Sequence, residues 1–354
     1  MKITIGVLSA AGLIALAGCH DEVQSPTAPD IPGTEAAPEF ALASNTWSTR
    51  APFQPAPDCC HRTDYTVGMA PNSAGESIVY VLGGFQDETG NGDIRTGWPT
   101  LRYNVATNSW FGTGPSVHAA DLNGVGKIGN KLYLTGGFNS GEDDANIAHI
   151  WNRTYAYNVS TQTLSRRADM PLAAHGGVSG VIQNRLYVLL GRCSGQADDP
   201  GHCDTGTFDR LTRALYRYDP TANSWISRRS APHYHYHGAA AVLNDKLYVV
   251  GGVSGTTKLA DLDVYDPATN QWQTKTPIPT PGTQLFGAAM LGRFYVISWS
   301  AGNIKFYSYD PATNRWTARA TPPAGVGPIV RVFVNGQSRI FMPLPTGHSY
   351  LYTP

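Results

Sequence analysis

Three histidines, His233, His235 and His237, alternate with Tyr234 and Tyr236 in one short stretch. In an extended chain that spacing turns all three imidazoles to one side. Near neutral pH imidazole can hydrogen-bond a ligand, ligate a metal or move a proton. His61, Asp64, His118 and His175 stand ahead of comparable apolar runs. They could join the same pocket, although polar lining between packed units is also a common use of such histidines. The pattern assigns no metal site and names no cofactor.

Other candidates are scattered. Trp98, Trp151 and Tyr155 could stack on sugars or on peptide aromatics. Arg95, Arg153, Arg192 and Arg210 could receive a carboxylate bidentately. The acidic runs Asp87-Glu88, Glu142-Asp143-Asp144 and Asp198-Asp199 lack EF-hand spacing, so they read as solvated loop charge.

Positioning these groups is the task of a repeat. An aromatic residue between apolar neighbours recurs at Tyr80, Tyr133, Tyr187, Tyr248, Tyr295 and Phe341, at spacings of 53, 54, 61, 47 and 46 residues. Paired glycines follow three of them, at Gly83-Gly84, Gly136-Gly137 and Gly251-Gly252. Each of four copies then carries a turn and a tryptophan: Asn104 to Trp110, Asp219 to Trp225, Asp266 to Trp272 and Asp310 to Trp316. The second copy is degraded, ending in Gln162-Thr-Leu164. Asp or Asn opens such a turn by accepting backbone N–H groups, and Pro presets the next φ. Each unit therefore reads as four short strands, a to d, and six units predict an all-β, six-bladed β-propeller. The last copy lacks its Trp strand, while Ala43-Ser-Asn-Thr-Trp47 near the N-terminus has that form. The first strand of the domain should complete the last blade, leaving no free sheet edge.

The Gly-Gly pair, the Tyr before it and the Trp after an Asp-Pro turn resemble the kelch repeat, from about Ala43 to Pro354. This resemblance implies a kelch-type propeller that binds a partner through the face carrying the b–c loops and the d–a connections. All nine histidines of the repeats fall in those segments, and the b–c loops of units one to three are long, as functional loops often are. A second expectation is a carbohydrate-active enzyme resembling the sialic-acid mutarotase-type epimerases. A third is a copper enzyme resembling galactose oxidase, with Tyr234, Tyr236, nearby histidines and Cys59 or Cys60 as the matching chemistry.

The beginning of the chain reads differently. Lys2, an apolar run from Ile3 to Leu16, and Leu16-Ala17-Gly18-Cys19 resemble a bacterial lipoprotein signal over residues 1–18, with Cys19 as the lipidated residue. Residues 19–42, rich in Pro, Ala and Glu, read as a disordered tether, and 43–354 as the propeller. His20 after the Cys suggests the outer membrane of an exported protein. Cys193 and Cys203 are then expected to form a disulfide, with Cys59 and Cys60 a second candidate pair. Lys+Arg and Asp+Glu both number 26, without a basic run in the repeats, so nucleic acid is an unsuitable partner. The expected partner is a protein or a glycan, bound by a monomer that meets the membrane only through its lipid.

Overall fold

A computed structural model describes residues 44–52, 62–87, 94–95, 98–140, 148–195, 201–203, 210–300 and 302–354. The signal and tether, Cys59, Cys60, His61, Glu142 to Asp144 and Asp198-Asp199 lie outside the described residues.

The folded unit, Ala43–Pro354, is built from strands. Among the described residues its main sheets are six, each antiparallel and four-stranded. Sheet one runs Thr66–Pro71, Ser77–Leu82, Trp98–Asn104 and Ser109–Val117. Sheet two has Gly124–Ile128, Lys131–Thr135, Thr154–Asn158 and Thr163–Arg167. Sheet three has Val178–Ile182, Arg185–Leu189, Leu215–Asp219 and Ser224–Arg228. Sheet four has Ala239–Leu243, Lys246–Ser254, Thr257–Asp266 and Gln271–Lys275. Sheet five has Gln284–Met290, Arg293–Ser300, Asn303–Asp310 and Arg315–Arg319. Sheet six has Val330–Val334, Gln337–Pro343 and Ser349–Thr353, and its fourth strand is Thr46–Thr49. That pairing, with Trp47 opposite Tyr352, joins the two ends of the unit.

Strand b is the buried spine of each sheet; in sheet one all six residues from Ser77 to Leu82 are buried. The a strands lie innermost and touch in a closed cycle from sheet one through sheet six and back. Small residues permit that approach. A Cβ on Gly180 would come within 2.5 Å of Val242 in the next sheet. The a–b turns of sheets three and four place both central residues, Gln183-Asn184 and Asn244-Asp245, in the left-handed region, as a type I′ hairpin demands.

The turn-and-tryptophan signal has two duties. Within a sheet, Asp219 Oδ1 accepts the amides of Thr221 and Ala222 at 2.9 and 3.3 Å. Between sheets, Asn223 Oδ1 accepts from Ala168 N at 2.9 Å, and Trp225 Nε1 donates to Ala168 O at 2.8 Å. The same latch fastens Asn270 and Trp272 to Arg229, and Asn314 and Trp316 to Thr276. It also fastens Asn45 and Trp47 to Ala320, and Asn108 and Trp110 to Ala51. In each of these five sheets a buried strand-c tyrosine (Tyr103, Tyr218, Tyr265, Tyr309 or Tyr352) donates its hydroxyl to the latch Asn.

The long b–c segments are not bare loops, as their sequence implied. In sheet two, Phe138–Ser140 pairs with Ala148–Ile150. In sheet three, Arg192–Cys193 pairs with Arg210–Leu211 on one side and Ala174–His175 on the other. The Cys193–Cys203 disulfide is present and tethers this ribbon, with Cα atoms 6.1 Å apart.

Candidate functional site

Each d–a connection enters its a strand through a sharp turn, and four of these turns are equivalent. Asp64, Asp121, Gly176 and His237 take φ of 50, 48, 61 and 57°. Asp tolerates the left-handed region better than most residues. Gly176 is required for a second reason, because a Cβ there would lie 2.2 Å from the Tyr236 ring. The turns are joined in series by backbone hydrogen bonds of 2.9 Å: Asp121 N to Asp64 O, Gly176 N to Asp121 O, and His237 N to Gly176 O. Leu285 N continues the series to His237 O at 3.0 Å.

These turns surround a cavity of about 360 Å³ enclosed by the a strands of all six sheets. Its wall mixes small apolar residues, as at Val125, Val178, Ala239, Ala288 and Ile329, with polar ones such as Ser179, Gln284 and Arg331, and Asp64, Asp121 and His237 line it among the turns. One carboxylate oxygen organises the polar group. Asp121 Oδ2 accepts from His175 Nδ1 at 2.7 Å and from His237 Nε2 at 3.0 Å. Tyr236 stacks on His237 with centroids 3.9 Å apart and meets the His175 edge at 5.4 Å. The Arg192 guanidinium covers the Tyr236 ring at 4.9 Å. The disulfide-tethered ribbon thereby supports the two imidazoles from behind.

The two carboxylates are driven apart in acidity. Burial opposes ionisation of Asp121, yet the hydrogen bonds and charge of His175 and His237 hold it well below the usual carboxylate range. Burial, and then the negative charge of Asp121, push Asp64 up to about 6 against the pull of His237 and His175. Asp64 therefore opposes folding. Its native proton is retained between the unfolded value near 4 and about 6, so stability falls as pH rises through that window. Asp64→Asn keeps a residue suited to the turn. It is expected to stabilise the chain by about 2 kcal/mol at pH 7 and by nothing at pH 4, read from urea midpoints. Equal effects at both pH values would refute this.

The histidine triplet does not point one way. The left-handed turn at His237 breaks the extended alternation, and only His237 reaches the cavity. His235, 1% exposed, donates Nδ1–H to Gly251 O at 2.8 Å and meets Asp263 Oδ2 through Nε2 at 3.1 Å. His233 shares the same oxygen at 2.9 Å, and Thr274 donates to Asp263 Oδ1 at 2.8 Å. Burial disfavours the charged Asp263, but the bonds from His235, Thr274 and His233 lower its pKa. This second group fastens the d–a connection to sheet four.

Several other candidates also sit elsewhere. Trp151 is a core residue at 5% exposure, with Arg153 over its ring at 3.7 Å, so it offers no rim surface. Trp98 opens a c strand opposite Val117 and is half-buried. His118 lines a different cavity between sheets one and two. Tyr234 lies under Arg213 and Tyr236 under Arg192, so the two tyrosines do not converge with two histidines as a copper-radical centre requires. Sequence reading missed Asp121 and Asp263. Alignment of the d–a turns would have found Asp121, since it occupies the Asp64 position one unit later.

A family model described as the KLHDC2/KLHL20/DRC7 Kelch-repeats domain matches residues 123–333. Human Kelch repeat and BTB domain-containing protein 12 is 28% identical over 190 residues, covering 51% of this chain and 29% of that protein. Beta-scruin of Limulus polyphemus is 26% identical over 60% of this chain and 23% of its own length. Kelch-like protein 23 of Pongo abelii is 24% identical over 72% of this chain and 39% of its own. The chain thus spans well under half the length of these relatives. Among solved structures, the one titled Structure of YjhT aligns with a TM-score of 0.58 at 14% identity, over 85% of this chain and 97% of that one. At that identity the likeness concerns fold alone.

Proposed function

Since the chain belongs to the kelch-repeat family, we propose that it is a six-bladed propeller serving as an exported binding module, anchored by lipid at Cys19. It holds a protein or glycan partner over the cavity mouth at Asp64, Asp121 and His237, with His175 bonded to Asp121. The closed cycle of a strands and the Thr46–Thr49 closure support six blades in one ring. The observation that carries the binding reading is the convergence of Asp64, Asp121 and His237 on one mouth, with His175 bonded to Asp121, the four groups coming from four successive connections. Convergent polar groups set beside apolar wall in a preformed cavity are the usual makings of a recognition site. The lipid anchor rests on the sequence around Cys19, and Cys19→Ser should move the chain from the detergent phase to the aqueous phase.

The test of binding is a glycan array and crosslinking to envelope proteins with the full chain. The Asp121→Asn variant should lose at least tenfold in affinity for whatever is captured. A ligand held equally well by that variant would sink the assignment. One observation favours a second reading, acid–base chemistry on a sugar: two carboxyls whose acidities are pushed apart often divide acid and base roles. It ranks below binding, because both histidines are committed to Asp121. Turnover of a sugar anomer with a pH profile breaking near 6, abolished by Asp64→Asn, would reverse that order.

A further inference from the structure

The seam between sheets one and two is built unlike the other five. Gln162 takes the left-handed place of the latch Asn, with φ of 56°, and Leu164 takes the place of the Trp. Tyr157, the counterpart of the five latched tyrosines, is fully buried, and its hydroxyl has no hydrogen-bond partner among the described residues. The hydroxyl of Thr135, 1% exposed, is likewise unpaired there.

Beside Leu164 lies a cavity of about 180 Å³. Its apolar wall is made by Val117, Ala119, Leu122, Leu134 and Leu164, with Ser116, His118, Arg153 and Tyr155 as polar lining; the Thr135 hydroxyl is itself buried. Leu164, Arg153 and Tyr155 are only half-buried, so the cavity communicates with solvent. Apolar cavities of about 150 Å³ stay dry and accept benzene. A space of this size with a largely apolar lining and a few polar groups therefore suits an aromatic ring bearing a polar edge. The chain itself shows which ring closes its seams: at the other five it is an indole whose N–H finds an oxygen.

We infer that this seam is a pocket for an indole side chain presented by a partner protein. Leu122 lines both this pocket and the central cavity, so a partner resting on the mouth is one residue's thickness away. The inference does not depend on the Asp121 site, which lies on the other side of that segment.

Free indole is the probe, titrated into the full chain with methyl-labelled leucines. Saturable shifts and NOEs to Leu122, Leu134 and Leu164 are expected. Gln162→Asn with Leu164→Trp should build the missing latch, raise Tm and weaken indole binding at least tenfold. Indole contacts mapping elsewhere on the unmodified protein would overturn the proposal, whether or not the double variant folds. So would undiminished binding to a folded, stabilised double variant. Loss of partner binding in Asp121→Asn with indole binding intact would separate the two sites.

Discussion

Trp47→Ala is expected to remove about 3 kcal/mol or more from the unfolding free energy, a larger loss than any exposed substitution should cause. The ring lies 5.3 Å from Phe306 and 5.1 Å from Tyr352, and its Nε1–H donates to Ala320 O at 2.7 Å. Those partners are some 260 to 305 residues away in sequence, so no local structure substitutes for them. Among the described residues, Thr46–Thr49 is also the only strand that reaches its sheet from the other end of the folded unit. Without it, Ser349–Thr353 becomes an unpaired edge, a template for association with other chains. The variant should show a lower urea midpoint and faster aggregation on heating. A midpoint within error of the unmodified chain would mean that the ring closes by some other contact.

Asp121→Asn should cost about 1.5–3 kcal/mol, the range for hydrogen bonds to a charged group, and should also disable the mouth. Asn accepts the left-handed turn, so the backbone is spared and the effect isolates the charge. The sign with pH follows from its depressed native pKa. A carboxylate of this kind contributes stability above the unfolded value near 4 and loses it as pH falls below that value. The difference between the two proteins should therefore be full at pH 7 and shrink below pH 4. A difference constant from pH 7 to pH 3 would show that the native pKa of Asp121 is not depressed below its unfolded value. Asp64→Asn has the opposite sign at pH 7, so the pair distinguishes a strained recognition site from ordinary structural polarity.

The scaffold was legible because its signals are local. Asn108-x-Trp110 and its copies state both the turn and the latch, and Asn45-x-Trp47 could be recognised as a displaced copy by the same short pattern. The pairing of Cys193 with Cys203 followed from their nearness in one loop. The site was legible only in part. His175 and His237 were visible as residue types, but the carboxylate that unites them is 54 and 116 positions away and belongs to an earlier unit. A period of two placed His233, His235 and His237 on one side because it assumed extended backbone. One positive φ at His237 sends that side chain into the cavity and leaves the other two on Asp263. Trp151 looked like a rim aromatic because burial depends on what packs above a residue, here Arg153 and the core of sheets one and two.

The serial hydrogen bonds from Asp64 to Leu285 have a consequence for motion. The turns at Asp121, Gly176 and His237 both give and receive, so five sheets are braced at the mouth like staves under a partial hoop, and among the described residues the backbone series stops at sheet five. The amides of Asp121, Gly176 and His237, although they lie in connections, and that of Leu285 should then exchange with solvent as slowly as those of strand b. Displacement of any one stave by a ligand should be felt as altered exchange at its neighbours, so that occupancy of the mouth is reported well beyond the atoms it touches.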